Sequence, residues 1–184
     1  MSVSWIILAV FGFVIVVVIS LYNSMVQARN LAQEGWSGID VQLKRRADLI
    51  PNLVEAVKGY AGHEKTLLED VTALRAKTQQ AADPAQRAIA EGMLTGALGK
   101  LMMVAENYPD LKASQNFQEL QKSLADTEEQ IQLARRYYNG ATRDMNIKVQ
   151  SFPGNLVAGM FGFHQMNYFE LENPADRNAP KVAI

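Results

Sequence analysis

The chain has 184 residues, with 18 Lys and Arg against 19 Asp and Glu, so its formal net charge is −1 at neutral pH. Because positive and negative side chains are balanced, the chain lacks the basic excess typical of nucleic-acid-binding proteins, and we predict no nucleic-acid partner. No cysteine is present, which excludes disulfides, thiol catalysis and thiolate metal sites. The length leaves room for one apolar span and one soluble domain with its own core.

Residues 3–21 form an apolar run without a single charge. About twenty apolar residues let a helix cross a hydrocarbon core of roughly 30 Å. The run therefore predicts a transmembrane anchor over residues 1–22. A cleavable secretory signal is the alternative, but no Lys or Arg precedes the run, and no small-x-small cleavage site follows it before Arg29.

The orientation of the anchor is predicted from the positive residues around it. No Lys or Arg precedes the span, whereas Arg29 and then Lys44, Arg45 and Arg46 follow it. Cytoplasmic flanks of membrane spans carry an excess of positive residues. We therefore expect an extracytoplasmic N-terminus and a cytoplasmic helical domain.

Apolar residues then recur at alternating steps of three and four, which predicts one long first helix over residues 23–78. The repeat positions are Trp36, Ile39, Leu43, Arg46, Ile50, Leu53, Val57, Tyr60, Glu64, Leu67, Val71 and Leu74. A seven-residue repeat is typical of left-handed supercoiled packing against partner helices. Pro51 removes one helical hydrogen bond, and because the repeat keeps its phase on both sides we expect a kink there, with a turn as the alternative.

Two more long helices complete the predicted bundle. Asp83 followed by Pro84 is typical of a cap and first position, which predicts a second helix over residues 84–107. A third helix over residues 114–150 would bury one seven-residue column of large side chains. That column is Phe117, Leu124, Ile131, Tyr138 and Met145. The sequence thus predicts an all-α fold, in which the transmembrane helix continues into an antiparallel bundle over residues 23–164.

A short fourth helix is predicted over residues 155–161. Its apolar side chains either cap the bundle, which is the simpler interpretation, or touch a membrane surface. The residues assigned to this contact are Leu156, Met160, Phe161 and Phe163. Residues 165–184 contain two prolines and no periodic pattern, so we expect an extended or disordered tail.

Polar side chains on or beside the core repeat form the one cluster that the sequence singles out. Its members are Arg45, Arg46, Asp48, Asn52, Glu128, Arg135, Arg136 and Asn139. Arg46 occupies a core position, and a buried charge needs a partner, so we expect an acid beside it, with Glu128 the first choice. We interpret the cluster as a structural ion pair that fixes helix register, in preference to a catalytic or ligand site.

No catalytic, cofactor-binding or metal site is predicted. The only histidines, His63 and His164, stand in neither a Glu-x-x-His nor a His-Glu-x-x-His pattern, and no nucleophile elbow or phosphate-binding loop is present. We therefore expect a protein that is not an enzyme and holds no cofactor. The alternative is a hydrolase or metal-dependent enzyme built from scattered carboxylates such as Glu64, Glu106 and Glu128.

Four blocks resemble the signature blocks of the LemA family, in order and in spacing. They read DVQLKRRADLIPNLVEAVKGYAGHE, VAENYPDLKA, RRYYNGATRDMN and FPGNLVAGMFGF, and an apolar span with YNSMVQARN precedes them. The resemblance implies a single-pass protein of the bacterial inner membrane with a helical, antiparallel bundle. The family has no established biochemical function, although the frequent proximity of its genes to those of membrane proteases implies a role in envelope quality control.

These observations together predict a membrane-anchored helical scaffold that associates with itself. Its expected partners are the lipid bilayer, further copies of the chain, and other envelope proteins such as a membrane protease. A peripheral module that remodels membranes through residues 156–163 is an alternative, beside the enzyme considered above.

Overall fold

The computed structural model describes residues 3–81 and 83–169, and these contain helices but no strand. Six helices follow one another along these described residues. They are α1 (Val3–Lys58), α2 (Lys65–Gln80), α3 (Pro84–Ala105), α4 (Pro109–Ala113), α5 (Gln115–Gln150) and α6 (Gly154–Phe161). The predicted all-α class is confirmed. Of the predicted tail, residues 165–169 have no regular secondary structure, and the remainder lies outside the described residues.

The chain divides into two compact units, and α1 and α5 contribute to both. The first unit comprises Met1–Gly38 and Ala134–Tyr168, and the second comprises Ile39–Leu133 and Phe169–Ile184.

By length and composition, α1 and α3 both qualify as candidate membrane spans. The apolar window of α1 is entirely unburied, whereas 44% of the window of α3 is buried within the structure. The candidate span is therefore the start of α1.

In the first unit, α1 and α5 run antiparallel and approach each other closely at Gly35. Lys148 donates a hydrogen bond from Nζ to the hydroxyl of Ser24. Farther along α1, a Cβ placed on Gly35 would lie 3.0 Å from both Tyr137 Cδ1 and Tyr138 Cα. From the first contact to the second, the residue numbers increase along α1 and decrease along α5. The two helices are therefore antiparallel. Glycine is suited to Gly35 because only a residue without a Cβ lets two backbones approach this closely.

Helix α6 folds back onto this pair and completes the core of the first unit. The buried members of that core are Met25, Ala28, Met145, Val157, Ala158 and Phe163. At the end of α6, Gly162 adopts a left-handed conformation with φ of 70°, which glycine reaches without strain. Phe163 can then donate its backbone N–H to the carbonyl of Ala158 at 3.0 Å. This turn returns the Phe163 side chain to the core.

In the second unit, α1 ends at Lys58 rather than at residue 78, so the single first helix predicted over residues 23–78 is wrong. A turn follows that contains Gly59 and Gly62, and glycine is a poor helix former because its backbone loses the most entropy on ordering. The carbonyl of Val57 accepts hydrogen bonds from the backbone N–H groups of both Tyr60 and Ala61. The chain then returns as α2, which shares a core with the end of α1.

The core of the second unit joins α1, α2, α3, α4 and α5. Its buried members are Ile50, Leu53, Val57, Ala61, Leu68, Val71, Leu94, Ala97, Leu98, Leu101, Ala105, Leu111, Phe117 and Leu124. Asp83 caps α3 as predicted, since its Oδ1 accepts from the N–H groups of Ala85 at 2.9 Å and Gln86 at 3.0 Å. The large-residue column predicted for α5 is buried at all five positions, from Phe117 to Met145.

Helix α1 continues through Pro51, so the turn considered there does not occur. A proline at position 51 has no N–H to donate to the carbonyl four residues earlier, which is that of Ala47. Arg75 of α2 supplies the missing donor, because its Nε lies 2.6 Å from Ala47 O. The proline is thus accommodated by a side chain of the neighbouring helix.

Replacing Arg75 by methionine is expected to lower the free energy of unfolding by about 1.5 kcal/mol, because the Ala47 carbonyl loses a charge-assisted hydrogen bond. Urea unfolding of the full-length chain in detergent, followed by circular dichroism, measures this change. The matched background is Pro51→Ala, which restores a backbone donor to the same carbonyl. In the Pro51→Ala variant, Arg75→Met should lower the free energy of unfolding by clearly less than in the wild-type chain. An equal loss in both would contradict the role of Arg75 as the replacement donor for the Ala47 carbonyl.

Candidate functional site

A buried cluster of charges lies inside the second unit, centred on Arg46 of α1. Its guanidinium contacts two carboxylates: NH1 lies 2.6 Å from Glu128 Oε2 on α5, and NH2 pairs with Glu91 Oε2 on α3. NH1 also donates to the hydroxyl of Thr95 at 3.1 Å. One arginine therefore links three helices, and Glu128 is the partner expected from the sequence.

The two carboxylates of this cluster have different environments. The side chains of Arg46 and Glu91 are 4% and 5% exposed, whereas that of Glu128 is 37% exposed. Gln132 donates from Nε2 to the other oxygen of Glu128 at 2.8 Å. Because a desolvated charge must be matched closely, Glu91 is the essential partner and Glu128 the solvated one.

Glu91 was missed in the sequence prediction, although a signal for it existed. It lies three residues after Ala88 and three before Leu94, both buried on the inner face of α3. A carboxylate at such a position must find a cation, by the same reasoning that was applied to Arg46. The three-residue spacing of Ala88, Glu91 and Leu94 along α3 therefore indicates a buried acid that needs a cation as its partner.

Most other members of the predicted polar cluster do not join it. Arg45, Asp48 and Asn52 are exposed, as is Arg136 on α5. These positions of α1 project to other sides of the helix than Arg46, since successive helical residues differ by about 100°. Arg135 and Asn139 are half-buried and belong to the first unit. Of the predicted residues, Arg46 and Glu128 are therefore in contact with each other, and the structure adds Glu91 and Thr95 to them.

A polar cavity of about 290 Å³ adjoins the charge cluster. Glu91 lines it together with Lys44 and Thr78, and with Arg87, whose NH1 lies 2.7 Å from Asp40 Oδ1. Two basic and two acidic side chains thus face one small space. Since their charges are balanced, the cavity favours neither an anion nor a cation.

The carboxylates proposed for an enzymatic site lie in unrelated surroundings. Glu64 and Glu106 are exposed, Glu106 pairs with Lys112, and Glu128 is held by Arg46. Within residues 3–81 and 83–169, no three His, Asp or Glu side chains are grouped as a metal ion would require. The described part of the chain therefore offers no metal centre built from these residues.

A second notable cluster lies in the first unit and is aromatic. The ring of Tyr22 lies edge-on to Phe161 and Phe163, with centroid distances of 4.9 and 5.5 Å. The guanidinium of Arg29 lies 5.3 Å from the centroid of Phe163, within the range of a cation–π contact. The four predicted contact residues separate accordingly: Phe163 is buried, whereas Leu156, Met160 and Phe161 remain at least half exposed.

Tyr138 anchors the other end of the first unit. Its ring packs against Trp36 at a centroid distance of 5.7 Å, and its hydroxyl donates to the carbonyl of Asn167 at 2.7 Å. Burial raises the pKa of the Tyr138 hydroxyl above its usual value, although a hydrogen bond with Thr142 opposes the rise. The residue therefore stays protonated at neutral pH and has a structural role.

Comparison with known proteins assigns a family to this fold. The model described as "LemA family" matches residues 35–184. Magnetosome protein MamQ 1 of Paramagnetospirillum magneticum is 27% identical over 180 residues, covering 84% of this chain and 66% of that protein. Magnetosome protein MamQ of Magnetospirillum gryphiswaldense is 26% identical with the same coverage. Protein LemA of Metamycoplasma hominis is 26% identical over 149 residues, covering 80% of this chain and 68% of its own. The chain thus spans just under two thirds of the length of the magnetosome proteins.

Proposed function

The chain belongs to the LemA family, and from that premise we propose that it is a membrane-anchored scaffold that binds further copies of itself through α3. Family membership and the apolar start of α1 make it a membrane-associated helical protein. The anchor would lie in the bacterial inner membrane with the helical domain in the cytoplasm, as the positive residues after the span favour. The observation that carries the proposal is the apolar outer face of α3.

Helix α3 carries large apolar side chains on its outer face as well as on its inner face. Leu94, Leu98 and Leu101 point into the core of the second unit, as expected for a bundle helix. On the outer face, Ile89 and Met93 are half exposed and Met103 is 66% exposed. Lys100 is the charged residue on this face, four residues after Gly96, and it is exposed. Large apolar side chains exposed on one helix face are typical of an interaction surface, so the outer face of α3 favours a partner.

The middle of this outer face is made of small residues. A Cβ placed on Gly96 or on Gly99 would meet no atom within 4 Å. These glycines therefore do not serve close packing inside the chain itself. A second helix crossing at Gly96 could approach closely while Ile89, Met93 and Met103 pack around the crossing point.

The partner we propose for this face is a second copy of the chain. A single-pass anchor confines all copies to one membrane, which raises their effective concentration toward one another without any new contact. Symmetric self-association then needs only one self-complementary patch, because both copies contribute the same residues. A small-residue crossing point flanked by apolar side chains on either side meets this requirement.

Replacing Gly96 by leucine tests the proposal. The added side chain enters open space, so the fold should be kept, whereas close approach of a second α3 is blocked. We expect the full-length protein in detergent to sediment as a dimer or larger assembly, and Gly96→Leu to shift it to the monomer at the same concentration. Gly38→Leu is the matched control, because Gly38 on α1 also has no atom within 4 Å of its Cβ position.

Two results would overturn self-association through α3. One is a wild-type protein that remains monomeric in detergent across concentrations and shows no crosslinked pairs in vesicles. The other is a Gly96→Leu variant that assembles as well as Gly38→Leu. If α3 instead carries another envelope protein, such as a membrane protease, Gly96→Leu would remove a crosslink to that protein from native membranes while the wild-type chain stays monomeric.

A further inference from the structure

Helix α6 presents apolar side chains to its surroundings directly beside the end of the candidate span. Leu156 is 58% exposed and Met160 is 75% exposed, and Phe152, just before the helix, is 80% exposed. The opposite side of α6 is buried, through Val157 and Ala158. The helix therefore has one side in the core of the first unit and an apolar side without a protein partner in the described structure.

The position of α6 along α1 indicates the depth at which this apolar side lies. Val18 and Leu21 pack against the core cluster that contains Val157, Ala158 and Phe163. Both residues belong to the uncharged run of residues 3–21, which at 1.5 Å per residue spans about 28 Å and barely covers a hydrocarbon core. The last turn of the run must then lie at the edge of the hydrocarbon, and α6 lies against that turn.

The residues around α6 are those typical of a membrane boundary. Tyr22 follows the span and contacts Phe161 and Phe163 through its ring, and aromatic side chains are enriched at headgroup level. Arg29 lies over Phe163, and Lys148 reaches the hydroxyl of Ser24. Two cations beside an aromatic group suit the phosphate layer, where long basic side chains place their charge in water.

We propose that α6 is an interfacial helix, held by the span in the boundary layer of the same membrane, with Leu156 and Met160 in contact with lipid acyl chains. Amphipathic helices of this kind bury their apolar side about 5–10 Å into the boundary between headgroups and acyl chains. The proposal rests on the membrane anchoring of the proposed function. It assigns lipid, rather than a second protein, to the exposed side of α6.

Under this proposal, the two interpretations of the predicted contact residues, core capping and membrane contact, apply to different side chains. Phe163 is 6% exposed and serves the core, so its replacement would damage the fold and report nothing about lipid. Leu156 and Met160 are the residues that a membrane contact requires. A probe at Met160 therefore separates lipid contact from folding.

The natural absence of cysteine allows a single reporter to be placed by substitution. Met160→Cys in the full-length chain is labelled with an environment-sensitive fluorophore and reconstituted into phosphatidylcholine–phosphatidylglycerol vesicles with lipids that carry a quencher at the upper acyl chain. We expect blue-shifted emission and quenching several-fold stronger than at Gln79→Cys, an exposed position of α2 in the second unit. A fluorophore at Asn155→Cys, on the polar side of α6, should be quenched less than one at Met160→Cys and more than one at Gln79→Cys.

A third reporter distinguishes failure of this inference from failure of the anchor. Phe11→Cys lies in the middle of the candidate span and should be quenched only by quenchers placed deep in the bilayer. If Phe11→Cys is protected in lipid while Met160→Cys behaves like Gln79→Cys, the interfacial placement of α6 is overturned and the anchor stands. If Phe11→Cys is also in water, the proposed membrane anchoring fails as well.

Discussion

Replacing Arg46 by methionine is expected to lower the free energy of unfolding by about 3–5 kcal/mol, the range typical when one partner of a buried ion pair is removed. The guanidinium is 4% exposed and pairs with Glu91, itself 5% exposed, as well as with Glu128. Without Arg46, the Glu91 carboxylate stays in the core without the cation that pairs with it. Urea unfolding of the full-length chain in detergent, followed by circular dichroism, measures the loss.

The control for this prediction removes both buried charges. In the double variant Arg46→Met, Glu91→Leu no desolvated charge is left, so much of the lost stability should return. Glu128→Gln should cost no more than about 1 kcal/mol, because a carboxylate that is 37% exposed is solvated when its partner changes. If Glu128→Gln proves more costly than Glu91→Gln, the assignment of Glu91 as the essential partner is wrong.

Replacing Gly154 by alanine is expected to destabilise the first unit by about 1–3 kcal/mol, as is typical of overpacked sites. A Cβ at Gly154 would overlap the carbonyl oxygen of Lys148 and lie 3.1 Å from Met25 Cε. A methionine tip can move, but the carbonyl belongs to the last turns of α5 and cannot yield without shifting the backbone. Thermal unfolding of the full-length chain in detergent would show the change as a lower melting temperature.

Gly159→Ala is the matched control on the same helix. No atom lies within 4 Å of a Cβ at Gly159, and alanine is favoured over glycine inside a helix by about 0.5–1 kcal/mol. This variant should therefore be as stable as the wild-type chain or slightly more so. Equal melting temperatures for the two variants would show that the close approach at Gly154 does not constrain the fold.

The faces of the helices could be predicted from the sequence because the periodicity of a helix is a local property. The column from Phe117 to Met145 is buried throughout, and Asp83 caps α3 as expected. The end of α1 could not be predicted this way. The turn between Lys58 and Lys65 happens to keep the three-and-four spacing of apolar residues, so Tyr60 continued the repeat although it is exposed. The glycines at positions 59 and 62 were the better signal.

The candidate site was predictable in part for a related reason. Because Arg46 occupies a core position, the sequence predicts that it is paired with an acid. Glu128 of α5 could be chosen as that acid from the helical repeat alone. The presence of Glu91 beside the same guanidinium depends on how far α3 is shifted along α1, which no local pattern records. Periodicity specifies which side of a helix is covered, but the identity of the facing residues follows from the relative placement of several helices.

The hydrogen bond from Arg75 to the carbonyl of Ala47 has a consequence for local opening of the native state. Around Pro51, α1 lacks one of its own hydrogen bonds and receives the replacement from α2. When α2 detaches, that carbonyl must turn to water, and the core that contains Ile50, Leu53 and Val57 loses the side chains of Leu68 and Val71 at the same time. We therefore expect the end of α1 and the whole of α2 to open together, which hydrogen exchange would show as one shared free energy of opening for their amides.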